Sequence, residues 1–325
     1  PRSTPKPSSA ASDVYKRQLL CSSKRLVRRA KQRKNLWVEL NMKIVINLLI
    51  ALFAFAIAIS IAYATGIELV FRAVFLAFAI QWIAFIPAYV FQTEKFYDLT
   101  GSLTYLSVIW YSLTYSSEYF ANLNLANLVI VLLITFWALR LGSFLFMRIH
   151  KDGEDKRFRT IKPSASQFFM TWTLQGLWVS LCSMCALTAI SSDSGLIVNP
   201  VFFAGLVLFI FGFLLEIIAD KQKSKFRAIP ENKNKFISSG LWARSRHPNY
   251  FGEIVLWTGI AVMSFSSLEG LQYLTLISPI FTYVLLVYIS GVRMLEARGD
   301  IKWGENEDYR NYKENTPVLL LRLRK

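Results

Sequence analysis

Eight apolar segments dominate the chain, each close to the roughly 20 residues that a helix needs to cross a bilayer core of about 30 Å. They run over residues 44–64, 69–91, 99–117, 124–147, 167–190, 199–219, 250–267 and 271–292. The third is rich in Ser, Thr and Tyr, which favours a helix packed among others over one that faces lipid, and the seventh is short. The pattern predicts an all-α, polytopic membrane helix bundle of about eight transmembrane helices.

The charges between these segments indicate how the chain crosses the bilayer. If the N-terminus is cytoplasmic, none of the four connections that lie outside contains Lys or Arg. These connections fall near 65–68, 118–123, 191–198 and 268–270. The connections 148–162 and 220–249 carry six and eight basic residues, and the tail 293–325 carries eight more. Because basic residues are retained on the cytoplasmic side, we expect both termini there, in the endoplasmic reticulum or a bacterial inner membrane.

Composition narrows the class of protein further. Hydrophobic residues make up 54% of the 325 residues and charged residues 18%, whereas about 25% are charged in a soluble domain. Two histidines are too few for the His-rich di-iron desaturases and hydroxylases, which need many imidazole ligands, and three cysteines imply no disulfide framework. We therefore expect no metal centre, and we expect the bilayer rather than nucleic acid as the partner.

The first 41 residues do not fit this pattern. They hold eleven Lys and Arg and two acids, so that +9 of the net charge of +16 lies here. The segment from Ser9 to Gln18 resembles a translated sequencing adaptor, and Met42 opens the first apolar run. We expect 1–41 to be a non-native or disordered basic segment, with a basic targeting tail as the alternative, and 42–325 to form a single membrane domain.

Two carboxylates lie in the sixth apolar segment and at its end. Glu216 and Asp220 are four residues apart, so they share one face of a helix. An ionised carboxylate inside a hydrophobic span is costly without a partner, which makes the pair a candidate functional site. The alternative is a structural role in which Glu216 pairs with a buried basic residue such as Arg140.

The most specific pattern is the polar string just before and inside the seventh segment. It contains Arg246, His247, Asn249 and Glu253 within eight residues. Arg suits phosphate because it forms forked, charge-assisted hydrogen bonds. Pro248 suits the start of a helix, and Asn249 and Glu253 then share a face.

A third polar stretch lies in the tail. Tyr309 and Tyr312 are one helical turn apart and could stack on a ring or close a pocket. With Trp303 among the charges they favour a tail packed against the cytoplasmic face, and a solvated tail is the alternative. By the charge rule the three stretches lie on one side of the membrane. We therefore expect one cofactor cavity open to the cytoplasm, with 199–317 as the cofactor-binding half.

A basic pocket with Trp and Tyr suits a large anionic cofactor. Nicotinamide dinucleotide phosphate and S-adenosylmethionine both present an adenine and a ribose, but only the former brings several phosphates. No Gly-x-Gly-x-x-Gly turn follows a strand, so a Rossmann domain is not available and the cofactor must lie between membrane helices. Binding of anionic lipid headgroups would explain the lysine runs, but it explains the Arg-His-Pro-Asn-Tyr-x-Gly-Glu string poorly.

That string, with Trp257 after it, resembles the C-terminal signature of the steroid 5-alpha-reductase superfamily, and most of all its branch of multi-pass proteins. The likeness extends to Leu295-Glu296, Lys302-Trp303-Gly304, Tyr309-x-x-Tyr312-Lys313 and Thr316-Pro317. It implies an NADPH-dependent reductase of a carbon–carbon double bond in a lipid, sterol or enone. The residues that the resemblance and its motifs give to the cofactor pocket are Glu216, Asp220, Arg227, Arg246, His247, Asn249, Glu253 and Tyr309. Among them, Glu216 stands where relatives can carry Asn.

Such a reaction also needs a proton, because hydride is delivered to one carbon and a proton to its neighbour or to an enone oxygen. Tyr can serve as the acid inside a membrane, since it is neutral at pH 7 yet can donate. Tyr97, with the adjacent Asp98, is the candidate catalytic residue. Tyr105 lies one to two turns further along the third segment.

The same string also resembles isoprenylcysteine carboxyl methyltransferases and phospholipid methyltransferases. These enzymes bind S-adenosylmethionine and need no phosphate-binding residues. They usually carry a paired Glu-Glu after the last span, where this chain has Glu296-Ala297. A membrane methyltransferase and a non-catalytic lipid-binding protein are therefore the alternatives to the reductase.

Overall fold

Helices make up the regular secondary structure in the computed structural model, which describes residues 9–118 and 120–322 and, over 9–36, the backbone alone. The described part contains ten α-helices. They are α1 (Ser9–Ala64), α2 (Glu68–Val90), α3 (Tyr97–Ser116), α4 (Leu125–Asp152), α5 (Ala165–Ser191), α6 (Pro200–Ala228), α7 (Pro248–Ser264), α8 (Ile277–Val284), α9 (Val292–Trp303) and α10 (Glu307–Asn315). The all-α prediction is confirmed.

The chain forms two compact units that divide within α1. The first runs from Pro1 to Ile50 and the second from Ala51 to Lys325. Residues 1–8 lie outside the described residues, and the prediction that 1–41 are non-native or disordered stays a prediction. The second unit contains α2 to α10 and every candidate site residue.

Six helical stretches among the described residues are long and apolar enough to cross a membrane. They are Trp37–Ala64, Glu68–Val90, Leu125–Asp152, Ala165–Ser191, Pro200–Ala228 and Gly270–Trp303. The two other predicted segments form α3, which is rich in hydroxyl side chains, and α7, which has only 17 residues. The prediction of a multi-pass helix bundle is therefore confirmed with six candidate spans, and the count of eight stays a prediction.

Helix α5 lies at the centre of the bundle, since 89% of its most apolar window is buried. Two hydrogen bonds in this part of the bundle join neighbouring helices. The Trp82 indole N–H donates to Thr173 Oγ1 at 3.1 Å, and the Gln81 amide donates to Thr104 Oγ1 at 2.7 Å. Such interhelical hydrogen bonds help membrane helices associate where lipid is as apolar as the side chains.

Helices α6 and α7 approach closely along two pairs of glycines. Gly205 and Gly212 on α6 face Gly259 and Gly252 on α7, and the glycines of each helix are seven residues apart. A Cβ atom added to Gly252 would lie 2.7 Å from the Gly212 carbonyl oxygen and 2.8 Å from the Glu216 nitrogen. This separation requires glycine, and it brings the carboxylates of α6 next to the polar residues of α7.

The C-terminal tail packs against the connection between α6 and α7. The Arg246 N–H donates to the Pro317 carbonyl oxygen at 2.9 Å, and the Arg322 N–H donates to the Arg244 carbonyl oxygen at 2.9 Å. The tail is therefore a packed segment, as its aromatic residues predict, and the alternative of a solvated tail is wrong. This pairing fixes the backbone just before α7, which begins at Pro248 as predicted.

Candidate cofactor site

A buried polar cluster lies between α4, α6 and α7. This carboxylate cluster consists of Arg140, Glu216, Asp220, Asn249 and Glu253. Arg140 Nη2 lies 2.5 Å from Glu216 Oε1, and Arg140 Nη1 lies 2.7 Å from Asp220 Oδ2. Asn249 Nδ2 donates to Asp220 Oδ1 at 3.3 Å. The predicted shared face of Glu216 and Asp220 is confirmed, and so is the pairing of Glu216 with Arg140.

Glu253 belongs to the cluster but makes no ion pair among the described residues. It is 6% exposed and within electrostatic range of Asp220 and Arg140, yet its Oε1 atom has no hydrogen-bond partner. One helical turn further, the Trp257 indole N–H is also buried without a partner. Because an unsatisfied buried polar group costs about 1–3 kcal/mol, these two atoms are candidates for contact with a ligand.

An aromatic wall lies against the cluster. The Tyr105 and Trp257 rings stack with centroids 5.5 Å apart, and Trp137 meets them edge-on at 5.0 and 5.1 Å. The Trp137 indole N–H donates to Glu216 Oε2 at 3.2 Å. The Tyr105 hydroxyl is buried, has no hydrogen-bond partner of normal geometry and is within electrostatic range of Glu253. A donor, an acceptor and a hydroxyl are thus left unsatisfied in one region.

Basic side chains lie beyond Asp220, toward the end of α6. Lys223 and Arg148 are within electrostatic range of Asp220, and Arg148 is also within range of Arg227. Among the described residues none of the three basic side chains makes an ion pair, and Lys223 Nζ lies 4.3 Å from the centroid of the Trp242 ring. Neighbouring like charges repel, so this arrangement favours an anionic ligand with more than one charge.

A second cluster forms where the tail meets α9. This tail cluster consists of Arg246, His247, Glu296, Asp300, Tyr309 and Lys313. Glu296 Oε2 lies 2.7 Å from Arg246 Nη1, and Glu296 Oε1 lies 2.9 Å from His247 Nε2. Burial lowers the pKa of the His247 imidazole, although Glu296 acts in the opposite sense. The ring is therefore neutral at pH 7, and its buried Nδ1 atom has no partner.

The rest of the tail cluster holds α10 against α9. Lys313 Nζ lies 2.6 Å from Asp300 Oδ1 and 3.3 Å from Glu296 Oε2. The Tyr309 hydroxyl donates to Asp300 Oδ1 at 3.4 Å. The cluster thus joins two carboxylates to two basic side chains and one neutral imidazole, so its charges balance.

The predicted cofactor residues divide between the two clusters. Those in or beside the carboxylate cluster are Glu216, Asp220, Arg227, Asn249 and Glu253. Those in the tail cluster are Arg246, His247 and Tyr309. No described hydrogen bond or ion pair joins the two sets, but Lys223 is within electrostatic range of both Asp220 and His247. Their convergence on one cavity stays a prediction.

The predicted catalytic pair lies at the start of α3. The Tyr97 hydroxyl donates to the Thr171 carbonyl oxygen at 3.0 Å. Asp98 is within electrostatic range of Arg148. The Tyr97 hydroxyl is thus engaged by the backbone, whereas that of Tyr105, further along the same helix, is not.

Sequence reasoning missed Arg148, Trp137 and the central position of Glu296. Arg148 lies two turns beyond Arg140 on α4. Its position in the sequence indicated only that the connection 148–162 is basic and lies on the cytoplasmic side. The signal for Glu296 was present, because it is an acidic residue in a basic segment that follows an apolar span.

Comparison with known protein families assigns the chain to a family. A family model described as Protein of unknown function (DUF1295) matches residues 84–316. The protein belongs to this family, which is part of the steroid 5-alpha-reductase superfamily.

Two curated relatives match parts of the chain. Probable O-methyltransferase ustE of Ustilaginoidea virens is 30% identical over 116 residues, which are 31% of this chain and 41% of that protein. Steroid 5-alpha-reductase DET2 of Gossypium hirsutum is 38% identical over 65 residues, which are 20% of this chain and 25% of that protein. The matches thus span less than half the length of either relative. No solved structure matches the chain.

Proposed function

We propose that this protein is a membrane-embedded reductase that uses NADPH to reduce a carbon–carbon double bond in a lipid, sterol or enone substrate. The observation that carries the proposal is the buried Glu253 Oε1 atom, which has no hydrogen-bond partner. It shares a cluster with Asp220, beyond which lie basic side chains that make no ion pair among the described residues. A dinucleotide can complement both features. Its nicotinamide end forms hydrogen bonds without carrying a negative charge, and its middle carries several negative charges. Membership of the steroid 5-alpha-reductase superfamily supports the same activity.

The residues present fit a dinucleotide in two parts. Arg148, Lys223 and Arg227 suit the phosphates, because cationic donors form strong hydrogen bonds to them. Asn249 and Glu253 suit the nicotinamide end, where an amide group and sugar hydroxyls need both donors and acceptors. When bound, the cofactor supplies a hydride. Because Arg148 comes from α4, the proposed site extends beyond the predicted half 199–317.

The protein must hold the substrate and deliver the proton. Tyr105 is the candidate that the geometry favours, since its hydroxyl has no hydrogen-bond partner of normal geometry and its ring stacks on Trp257, one helical turn from Glu253. Its polar neighbour is the Cys182 thiol, which is only a weak hydrogen-bond acceptor. Tyr97 and Asp98 remain the alternative pair, although the Tyr97 hydroxyl is already bonded to Thr171.

The membrane arrangement that goes with this function has eight spans. Helices α3 and α7 are the two additional spans, packed among the longer ones. Both termini then lie in the cytoplasm with the basic connections, and the cofactor enters from that side. The substrate is a lipid or sterol-like molecule from the bilayer, and nucleic acid is not a partner.

The second candidate function is an S-adenosylmethionine-dependent membrane methyltransferase. The match to the O-methyltransferase ustE favours it. The three basic side chains, Arg148, Lys223 and Arg227, make no ion pair among the described residues and count against it, because S-adenosylmethionine carries no phosphate.

Binding of the full chain, purified in detergent, to NADPH and to S-adenosylmethionine tests the proposal. We expect NADPH to bind and to raise the melting temperature. Asn249→Ala and Arg227→Ala should each weaken its binding by about 1–3 kcal/mol, the cost of leaving a buried hydrogen-bonding partner unsatisfied. Asn234→Ala, an exposed position, is the matched control and should bind normally. Stabilisation by S-adenosylmethionine alone would overturn the reductase proposal.

A further inference from the structure

A charged helix follows the last apolar stretch of the chain. Inside the candidate span Gly270–Trp303 the continuous helical turns end at Ile289, after 20 residues, and α9 begins at Val292. About 20 residues suffice to cross the apolar core of a bilayer. Five of the twelve residues of α9 are charged, and charged residues are costly inside that core. This pattern favours a position for α9 just beyond the core, where the bilayer meets water.

One face of α9 is held by the C-terminal tail. Gly299 is buried on this face. Glu296 pairs with Arg246 at 2.7 Å, and Asp300 pairs with Lys313 at 2.6 Å. The two acidic side chains of α9 are therefore both neutralised by basic partners from outside the helix.

The opposite face of α9 is apolar along its centre and basic along its edges. Ile301 is 88% exposed, and the helical period places Met294 and Ala297 beside it. The same period places Arg293 along one edge of these residues and Arg298 along the other. Both arginines are exposed, and neither makes an ion pair in the part of the chain that the structure describes. We call these five residues the outer strip.

Aromatic side chains mark the end of the apolar stretch that leads to the outer strip. Tyr283 and Tyr288 are exposed, and their rings meet edge-on with centroids 6.0 Å apart. Tyrosine is enriched where a membrane meets water, because its ring is apolar and its hydroxyl is polar. The outer strip thus continues an exposed surface whose composition already suits the membrane interface.

We propose that the outer strip binds anionic phospholipids, with Ile301 among the acyl chains and Arg293 and Arg298 at the headgroup phosphates. An apolar strip with basic residues beside it is typical of helices that lie in the plane of the interface. The stem of an arginine can follow apolar surface while its charged end reaches the headgroups. Anionic headgroups supply the counter-charge that the two arginines lack within the chain. This binding surface is separate from the proposed cofactor site and does not depend on the proposed function.

Quenching of a bimane fluorophore at position 301 by brominated lipids tests the proposal. The full chain carries Ile301→Cys and Cys21→Ser, since Cys182 and Cys185 are buried. It is placed in nanodiscs of phosphatidylcholine and phosphatidylglycerol in equal amounts, with bromine on the acyl chains of one lipid or the other. We expect quenching by both lipids, and stronger quenching by phosphatidylglycerol. Asn311→Cys, an exposed position on α10, is the matched control and should be quenched much less.

Removal of the charges tests the role of the arginines in the same labelled chain. Arg293→Gln and Arg298→Gln should each lower the enrichment of phosphatidylglycerol around the label by about fivefold, the order expected for one basic residue near an anionic surface. Arg310→Gln is the matched control. Arg310 is exposed on α10, which packs against the tail-facing side of α9 through Lys313, so this variant should keep the enrichment.

Quenching at position 301 no stronger than at position 311 would overturn the proposal, because the outer strip would then face water. Equal quenching by the two lipids would overturn the assignment to anionic headgroups. Protection of the bimane that grows with the number of chains per nanodisc would assign the outer strip to a contact between copies of this chain instead. The comparison of the two lipids needs only the labelled chain, so it decides the proposal even if an arginine variant does not fold.

Discussion

The carboxylate cluster and the tail cluster are built from neighbouring residues of one polar string, but they differ in how their acidic side chains are paired. Arg246 and His247 turn toward Glu296 in a cluster with as many basic as acidic side chains. Asn249 and Glu253 turn toward α6, where Arg140 alone forms ion pairs with the buried acidic side chains among the described residues. A balanced cluster can hold a tail in place without a ligand. Both clusters contain unsatisfied buried atoms, Glu253 Oε1 in one and His247 Nδ1 in the other. The pairing of the acidic side chains is therefore what distinguishes the region that we propose to bind a ligand from the one that we propose to be structural.

Removing one arginine from each cluster should produce the largest difference between the two clusters. Arg140→Met leaves two buried carboxylates without their cation, and the expected loss of unfolding free energy is about 3–5 kcal/mol. Arg246→Met leaves Glu296 with Lys313 and His247, and the expected loss is about 1–2 kcal/mol. Denaturation of both variants in detergent checks this, and equal losses would show that the two clusters do not differ.

Removing single hydroxyl groups tests which tyrosine donates the proton. Tyr105→Phe should lower turnover by about 100-fold or more, as expected for loss of a general acid, with NADPH binding retained. Tyr309→Phe, in the tail cluster, should keep normal turnover. The assay follows lipid extracts for a gain of two hydrogen atoms by mass spectrometry.

The variant Tyr97→Phe decides between the two candidate acids. Normal turnover in Tyr97→Phe would exclude Tyr97 as the proton donor, and normal turnover in Tyr105→Phe would exclude Tyr105. Loss in both would mean that both hydroxyls are needed.

Replacing one glycine by alanine next to each cluster compares how tightly the two regions are packed. Gly252→Ala places a Cβ atom against the backbone of α6 and should cost about 1–3 kcal/mol, with NADPH binding weakened because the carboxylates are displaced. Gly299→Ala meets only the movable end of the Tyr309 side chain and should cost less. Melting temperatures of the two variants check this, and a stable Gly252→Ala variant would contradict the close approach of α6 and α7.

The smallest expected effect is a pH dependence of the tail cluster. Since burial lowers the pKa of His247 in the folded chain, the unfolded chain takes up the proton first as the pH falls. Stability from this residue is therefore complete above the unfolded pKa of about 6.5 and is lost as the pH falls toward the folded value. The melting temperature of the wild type should fall more than that of His247→Gln between about pH 8 and about pH 5. A steeper fall in the variant would contradict the neutral, buried imidazole.

Spacing along a helix predicted the local geometry of the site well. The pairing of Glu216 and Asp220 with one partner follows from the helical period, and the start of α7 follows from Pro248. The division of the polar string between two clusters could not be predicted, because it depends on the tail pairing with residues before α7. The contribution of α4 likewise depends on packing between helices distant in sequence.

The number of membrane spans likewise cannot be predicted from hydropathy alone. Hydropathy located eight helical segments, but α3 and α7 are too polar or too short to be identified as spans by length and composition alone. Their roles depend on the neighbours that cover them, since Tyr105 on α3 and Glu253 on α7 are buried by other helices.

An experimental structure of the full chain with bound NADPH tests the central claim most directly. We expect the nicotinamide ring beside Glu253 and Asn249, next to Tyr105 and Trp257, with the phosphates near Arg148. A cofactor bound instead against Glu296 in the tail cluster, with the carboxylate cluster unchanged, would contradict it.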